Sequence, residues 1–274
     1  MEEEDTVRQI RENIAADRLD LAGPQIGDLM SRSSDRPLTV LTCASLYLTL
    51  GNEDGFRDAV SKIAGNLPDD PGMLCDIAEA LLALDVPGDA LAAAERAGDS
   101  DRAKHLRASA LHELMRDAEA LDMVSGLESD GDVILRAYVL ASLKRFDEAV
   151  SSLDGLVKRK DYKACRAYIS VLVKAKRDKE AMKYARERAK GKDADGSALM
   201  AQYQWIDGNI TAAGAYASKA IKADEAHVGA MEFLGYALAS KGEFRNAKIV
   251  AGAINEREPG NPAAFRIISL CNRG

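Results

Sequence analysis

Apolar residues recur at three- and four-residue steps along most of the 274-residue chain, in short runs separated by polar turns. The stretch GYALASKGEFRNAKIVAGAINEREPGNP, residues 235–262, is typical. It contains two amphipathic segments of about 12 residues on either side of a polar turn at Gly242. Because the turn is short, the two predicted helices lie antiparallel. The pattern therefore predicts a helical hairpin, and the presence of further copies decides the architecture.

The hairpin pattern recurs with an alanine at a fixed place. Starting from Ala247, backward steps of 34, 32, 32, 29, 30, 31 and 37 residues lead to alanines in similar segments. A small side chain at this place lets two helix backbones approach closely where they cross. Gly208 and Gly242 lie five residues before their alanines and suit the left-handed end of a first helix. The eight anchor alanines are Ala22, Ala59, Ala90, Ala120, Ala149, Ala181, Ala213 and Ala247.

The last two copies carry the pattern of a known repeat family. Copies around Ala120, Ala149 and Ala181 lack the turn glycine, and most earlier copies are 29 to 32 residues long. The matching positions are Leu234, Gly235, Gly242, Phe244, Ala247 and Pro259 in the last copy, and Gly208, Ala213 and Ala220 in the preceding one. With these residues the chain resembles the tetratricopeptide repeat, a helix-turn-helix unit. The resemblance implies an all-α, right-handed α-solenoid, or superhelix, of about eight units.

We expect a single solenoid domain over residues 1–274, since no Ser/Gly-rich linker interrupts the chain. Residues 262–272 are predicted to form an unpaired helix that caps the array. The predicted units cover residues 6–34, 38–69, 71–99, 101–128, 131–160, 162–192, 195–226 and 228–259.

Composition favours helices and a cytoplasmic location. Aromatic residues make up only 5 % of the chain, whereas alanine, the best helix former, is abundant. No apolar run approaches the roughly 20 residues of a membrane span, and the acidic N-terminus does not resemble a signal peptide. The four cysteines lie among apolar neighbours and form no C-x-x-C pair, which predicts buried thiols in a reducing cytoplasm.

No motif indicates catalysis, a cofactor or a metal site. The chain contains no G-x-S-x-G, Walker-type, G-x-G-x-x-G or H-E-x-x-H sequence. Acidic residues in segments 128–132 and 192–197 fail the spacing of a calcium loop, and we interpret them as helix N-caps. His105 and His112 are seven residues apart and have no third ligand in register. We therefore expect a protein that is not an enzyme and binds neither cofactor nor metal.

The family resemblance also implies a binding surface. First helices of successive units would line a concave face, and polar positions on them would contact an extended peptide. The candidate groove residues are His105, His112, Glu113, Tyr138, Lys163, Arg166, Lys174, Gln202, Trp205, Glu232 and Tyr236. Aromatic side chains around a basic centre suit a peptide with aromatic anchors and acidic groups, although Tyr138 and Tyr236 can equally be packing residues. The predicted function is a protein–protein interaction scaffold.

Charge is unevenly distributed along the chain. Residues 1–157 hold 15 Lys/Arg against 31 Asp/Glu, residues 158–192 hold 14 against 4, and residues 193–274 hold 8 against 9. The basic patch in the middle segment consists of Lys174, Lys176, Arg177, Lys179, Lys183 and Arg186. Three interpretations stay open: contact with nucleic acid, a solvated face that pairs with acidic neighbouring units, and self-association with the acidic N-terminal half into a homo-oligomer.

Overall fold

The computed structural model describes residues 2–16, 18–191, 193–258 and 260–273. These residues form 17 α-helices, with no strand in the described part of the chain. None of these helices is long and apolar enough to cross a bilayer. Two residues of the predicted patterns lie outside the described residues: Pro259 of the repeat pattern and Lys192 at the end of the basic segment.

The first sixteen helices form eight consecutive pairs, each packed against the next, and α17 follows the last pair. This nearest-neighbour stacking is the arrangement of a solenoid. The first helices of the pairs are α1 (Glu2–Ala15), α3 (Pro37–Leu50), α5 (Pro71–Ala83), α7 (Asp101–Glu113), α9 (Asp130–Ser142), α11 (Tyr162–Lys174), α13 (Ala194–Ile206) and α15 (Val228–Ser240). The second helices are α2 (Leu19–Arg32), α4 (Glu53–Gly65), α6 (Pro87–Arg96), α8 (Asp117–Val124), α10 (Phe146–Lys158), α12 (Asp178–Ala189), α14 (Ile210–Ala223) and α16 (Phe244–Arg257), and the unpaired helix is α17 (Pro262–Arg273).

Every anchor alanine lies in the second helix of its pair, and all eight are 0 % exposed. Their burial confirms the predicted all-α solenoid of eight hairpins with an additional C-terminal helix. In the units that share one register, a small side chain at this place lets the helices approach, and a larger one would force the backbones apart.

The turn between the two helices of a unit has the same geometry in most units. Gly208 (φ 80°) and Gly242 (φ 77°) are left-handed as the sequence predicts. In the units without a turn glycine, the residue five positions before the anchor adopts the same conformation with φ between 61° and 63°; these residues are Asp85, Met115, Lys144 and Lys176. Each such residue costs about 1–2 kcal/mol relative to a right-handed conformation, and stacking of the unit offsets that cost.

The second unit departs from this register. Its left-handed residue is Gly51 (φ 74°), which lies eight rather than five positions before Ala59. The position equivalent to the other anchors is therefore Phe56, 34 residues after Ala22 and 34 before Ala90. The close approach between the helices occurs at Gly55, where a Cβ would lie 2.7 Å from the ring of Tyr47. The sequence alignment on Ala59 is thus wrong by three residues, which explains the uneven steps of 37 and 31 on either side.

Polar side chains at helix starts fix the boundaries between units. Asp70, Ser100, Ser129, Asp161 and Asp193 each accept a hydrogen bond from the backbone N–H three residues later. Such N-caps contribute about 1 kcal/mol each. The predicted capping role of the acidic segments is confirmed for Asp193, which caps α13.

The end of the chain packs against its beginning. Helix α17 contacts α15 and α16 as expected for a cap, and it also contacts α3 of the second unit. Phe265 of α17 is 6 % exposed and belongs to the apolar core of the N-terminal units, whereas Ile267 belongs to the core of α15 and α16. The solenoid therefore closes on itself, and its first helices surround a common interior face.

Candidate functional site

The first helices of the last three units are joined by a direct ion pair. Arg166 on α11 and Glu232 on α15 lie 2.9 Å apart, measured from Nη1 to Oε2, although α13 stands between their helices in the chain order. Two helices separated by a third can touch in this way only on the inward-curving side of the array. The pair therefore marks the concave face, and the residues around it are called the concave site below.

Gln202 of α13 lies between these two helices. Its Nε2 donates hydrogen bonds to the carbonyl of Arg166 at 3.0 Å and to Oγ of Ser170 at 2.9 Å. Gln202 is only 4 % exposed, and its Oε1 is buried without a hydrogen-bond partner. These hydrogen bonds join α13 to α11, and Gln202 therefore supports the concave site from within the array.

Aromatic rings form the walls of the concave site. Trp205 of α13 stacks on Tyr236 of α15 with ring centroids 5.3 Å apart, and Phe233 meets Tyr236 edge to face. The guanidinium of Arg166 lies over the Phe233 ring at 5.1 Å and over the Tyr162 ring at 5.9 Å, both within cation–π range. The arginine is therefore held by aromatic faces as well as by Glu232.

Electrostatics in the site follow from its burial. Burial acts to lower the pKa of Arg166, but the attraction of Glu232 outweighs it and the pKa is raised. Burial raises the pKa of Tyr138 and Tyr162, and it raises that of Tyr236 to about 12. All three phenols are thus neutral at physiological pH and can serve as hydrogen-bond donors. The hydroxyl of Tyr162 is buried without a partner.

Two predicted groove residues remain accessible as cations beside this cluster. Lys163 on α11 is exposed and forms no ion pair within the described residues. Lys174, at the end of the same helix, is exposed and donates from Nζ to Oγ of Ser142 on α9 at 2.8 Å. Positive charge available to a partner therefore comes from these two lysines, since the charge of Arg166 is already paired.

The predicted residues of the fourth unit lie apart from this cluster. Nδ1 of His105 lies 2.6 Å from Oδ1 of Asp132 on the next first helix, and Nδ1 of His112 lies 2.5 Å from Oδ1 of Asp117 on α8. These histidines thus join neighbouring helices, whereas Glu113 is exposed. Within the described residues, no group of three metal-ligating side chains is found.

The fold can be compared with known proteins. No family model matches the chain, and no curated protein is similar to it in sequence. Among solved structures, it is similar to a tetratricopeptide repeat protein from Parabacteroides merdae, with a TM-score of 0.50, 13 % identity, and 86 % of this chain and 98 % of that chain covered. The chain has the tetratricopeptide-repeat fold.

Two further solved structures are similar to the chain with lower TM-scores. PilW, a type IV pilus biogenesis factor, has a TM-score of 0.40 at 16 % identity, with 87 % of this chain and 99 % of that chain covered. YrrB, a tetratricopeptide-repeat protein with an unusual peptide-binding site, has a TM-score of 0.34 at 17 % identity, with 76 % and 96 % covered.

The residues of the predicted basic patch are divided between the two helices of the sixth unit and the turn that joins them. Arg177 is half-buried and pairs with Glu180 and Asp147, and Lys174 lies on α11 rather than on the outer face. The exposed cations of the second helix α12 follow one another at steps of four, three and four residues, a spacing that puts them on one face. They are Lys179, Lys183 and Arg186 on α12 and Lys190 directly after its end, together named the α12 stripe below, and Lys176 precedes them in the turn.

In the tetratricopeptide-repeat solenoid, the concave site collects six of the predicted groove residues: Tyr138, Arg166, Gln202, Trp205, Glu232 and Tyr236. Tyr162 and Phe233 belong to it as well and were not predicted. A sequence signal for Tyr162 exists, because positions 162, 166 and 170 recur every four residues on one face of α11. Phe233 follows Glu232 directly, and only the packing of α15 shows that it faces Arg166.

Proposed function

We propose that the protein is a non-catalytic interaction scaffold whose concave site binds an extended segment of a partner protein. The observation that carries this proposal is the cluster around Arg166 and Glu232, in which aromatic faces and charged groups from three successive first helices lie together. Rigid aromatic rings of this kind supply contact area at low entropic cost. A fixed cluster needs little reordering when a peptide binds.

The expected partner segment combines an aromatic or apolar anchor with acidic groups. Trp205 and Tyr138 are half-buried and offer ring surface, and Lys163 and Lys174 offer positive charge along α11. Gln202 and Tyr236 support these groups from within the array, since both are almost fully buried. The four free cysteines are buried, which suits the reducing cytoplasm that we propose as the location.

The test is a selection of peptides from a random display library on the immobilised full-length protein. Trp205 is the only tryptophan of the chain, so its fluorescence reports whether a selected peptide occupies the concave site. We expect Tyr138→Ala to weaken selected peptides by about 5- to 30-fold, the usual loss at an aromatic contact residue. Lys163→Glu should weaken acidic peptides by about 3- to 5-fold.

Lys241→Glu is the matched control, because Lys241 is exposed in the turn after α15 and forms no ion pair within the described residues. This variant should bind selected peptides like the wild type. If no peptide is enriched, or if selected peptides bind Tyr138→Ala and Lys163→Glu as tightly as the wild type, the concave site is not the binding surface.

A second candidate function is association with nucleic acid through the α12 stripe. Its four cations extend over about 16 Å of one helix face at 1.5 Å per residue. All four are exposed and none of them forms an ion pair within the described residues, so each offers a side-chain cation to a partner. Self-association through the acidic N-terminal half would use the same stripe, and it stays a prediction.

Fluorescence anisotropy with a single-stranded RNA and a duplex DNA of mixed sequence tests this candidate. Neutralisation of four phosphates predicts that the logarithm of the binding constant falls with the logarithm of salt with a slope of about −3 to −4. Lys179→Gln together with Lys183→Gln should halve that slope, and Lys241→Gln should leave it unchanged. No anisotropy change at low salt with either probe would eliminate nucleic acid as a partner.

A further inference from the structure

Helix α3 is unlike the other helices in its surface chemistry. It is the only one of the 17 helices in the described part that contains no charged residue. Its small polar residues Thr39, Thr42, Ser45 and Thr49 recur at three- and four-residue steps along one side, and the other sides are apolar. Among its residues only Leu38, near its first turn, is exposed. Neighbouring elements therefore cover the apolar sides of α3.

Helix α17 is one of these elements, and it packs against α3 on one side and against α15 and α16 on another. Ala264, Ile267 and Cys271 recur at steps of three and four and pack in the core of α15 and α16. Phe265 and Asn272 lie on a second face, seven residues apart, which is two helical turns. Phe265 enters the core of the N-terminal units, and Asn272 lies beside Gly51 at the end of α3. A terminal cap needs one buried face only, so the second face is specific to the contact with α3.

This contact is a narrow joint between the two ends of the array. Among the described residues of α17, Phe265 alone belongs to the N-terminal core, whereas α3 and α5 of consecutive units each contribute several buried side chains to it. An open cleft lies beside the joint, and Thr39, Thr42 and Glu256 are among the residues that line it. A joint with one side chain in that core has few buried apolar contacts, and such regions open at low free energy.

We propose that the contact between α17 and α3 is a latch that closes the solenoid into a ring around the concave site, and that its opening admits the partner. The inference rests on the proposed function of that site. A closed ring restricts entry to an end of the central space, whereas an open latch exposes the first helices from the side. The population of the open form then sets the apparent affinity for the partner.

The joint can be locked by a reversible bond. A Cβ at position 51 would lie 3.7 Å from Cγ of Asn272, so Gly51→Cys with Asn272→Cys brings two thiols within the range of a disulfide. The same chain, oxidised and then reduced, supplies its own control. Mass spectrometry checks the link between residues 51 and 272, because the four natural cysteines are buried but Cys271 is adjacent.

The joint can also be opened. Phe265→Asp places a charge in the N-terminal core, and Leu270→Asp is the matched control because Leu270 is 42 % exposed on the same helix. Helicity by circular dichroism verifies that both variants fold. The radius of gyration from small-angle X-ray scattering should rise in Phe265→Asp alone.

The binding probe is a peptide selected from the random library by the wild-type protein. If the closed form holds about nine-tenths of the molecules, Phe265→Asp should raise the apparent affinity about tenfold. The oxidised double cysteine variant should associate at least tenfold more slowly than the same variant after reduction. An equal rate of peptide association for the oxidised and reduced forms would overturn the proposal that opening of the latch admits the partner.

Two other results would overturn the latch without reference to a peptide. One is a wild-type radius of gyration equal to that of Phe265→Asp, which means that the ring is open in solution. The other is a disulfide that links two chains rather than one, which assigns the contact to a second copy. Failure to select any peptide would instead contradict the proposed function and leave the scattering and cross-linking results to decide the latch.

Discussion

Arg166 of α11 and Glu232 of α15 form an ion pair across α13, with Nη1 and Oε2 2.9 Å apart. Both side chains are largely buried, and the guanidinium is held between the rings of Tyr162 and Phe233. The pair thus couples the sixth unit to the eighth, which ordinary solenoid packing between consecutive units does not do. The pair therefore adds a direct link between the two units to the apolar packing of the last three units.

Loss of one partner should cost more than loss of both. Glu232→Gln leaves the Arg166 charge partly buried without a counter-charge, and we expect the free energy of unfolding to fall by about 2–4 kcal/mol. Arg166→Met with Glu232→Met removes both charges and should be less destabilised than Glu232→Gln. Urea denaturation monitored by Trp205 fluorescence measures the free energy of unfolding of both variants. Additive effects of the single substitutions would show that the two side chains are not coupled.

Glycine should be favourable at the turns that lack it. Lys144 is exposed and held at φ 63°, so Lys144→Gly relieves about 1–2 kcal/mol of left-handed strain and costs part of that in chain entropy. We expect the free energy of unfolding, measured by thermal or urea denaturation, to rise by about 0.5–1 kcal/mol. Lys219→Gly, in the middle of the helix α14, should instead lose about 1 kcal/mol. A loss of stability in Lys144→Gly would mean that the lysine side chain contributes a contact of its own.

Much of the architecture could be predicted from the sequence, because the repeat is set by local constraints. A close crossing demands a small side chain, and seven of the eight anchor alanines are buried at the same place in their units. The second unit was misaligned because its close crossing is at Gly55, opposite Tyr47, and Ala59 lies one turn further on. The left-handed turn at Gly51 was the better marker of its register.

The contacts between distant units could not be predicted in the same way. Spacing along α11 and α15 places Arg166 and Glu232 on first helices, but only the curvature of the array brings them together. The same holds for Phe265, whose contact with the N-terminal core depends on the sum of eight small rotations. One signal was present: α3 has no charged residue, a composition that favours a helix with little surface exposed to water.

Close packing of α15 against α11 should make a substitution at Gly229 destabilising. A Cβ at Gly229 of α15 would collide with the Tyr162 ring, so we expect Gly229→Ala to cost about 1–3 kcal/mol. Gly252, in the middle of α16, has open space where its Cβ would be, and Gly252→Ala should gain about 0.5–1 kcal/mol. Thermal unfolding of the two variants measures the difference. If both alanines stabilise, α15 lies further from α11 than the structure shows.

A buried aspartate should make stability depend on acid pH. Burial acts to raise the pKa of Asp132, but hydrogen bonds from Ser129 and His105 outweigh it and the pKa is lowered. A carboxyl group with a lowered folded-state pKa contributes stability above its unfolded pKa of about 3.9, and the contribution is lost as pH falls through the folded value. Asp132→Asn should therefore be less stable at pH 7 by about 1–3 kcal/mol.

The difference between wild type and Asp132→Asn should shrink as pH falls from about 5 toward 2, because the wild-type carboxyl takes up a proton there. Urea unfolding at several pH values measures this convergence. Asp122→Asn is the matched control, since Asp122 is exposed on α8 and has no partner within the described residues, and its difference from wild type should stay near zero throughout. A constant gap between wild type and Asp132→Asn down to pH 2 would mean that the aspartate acts through packing and not through its charge.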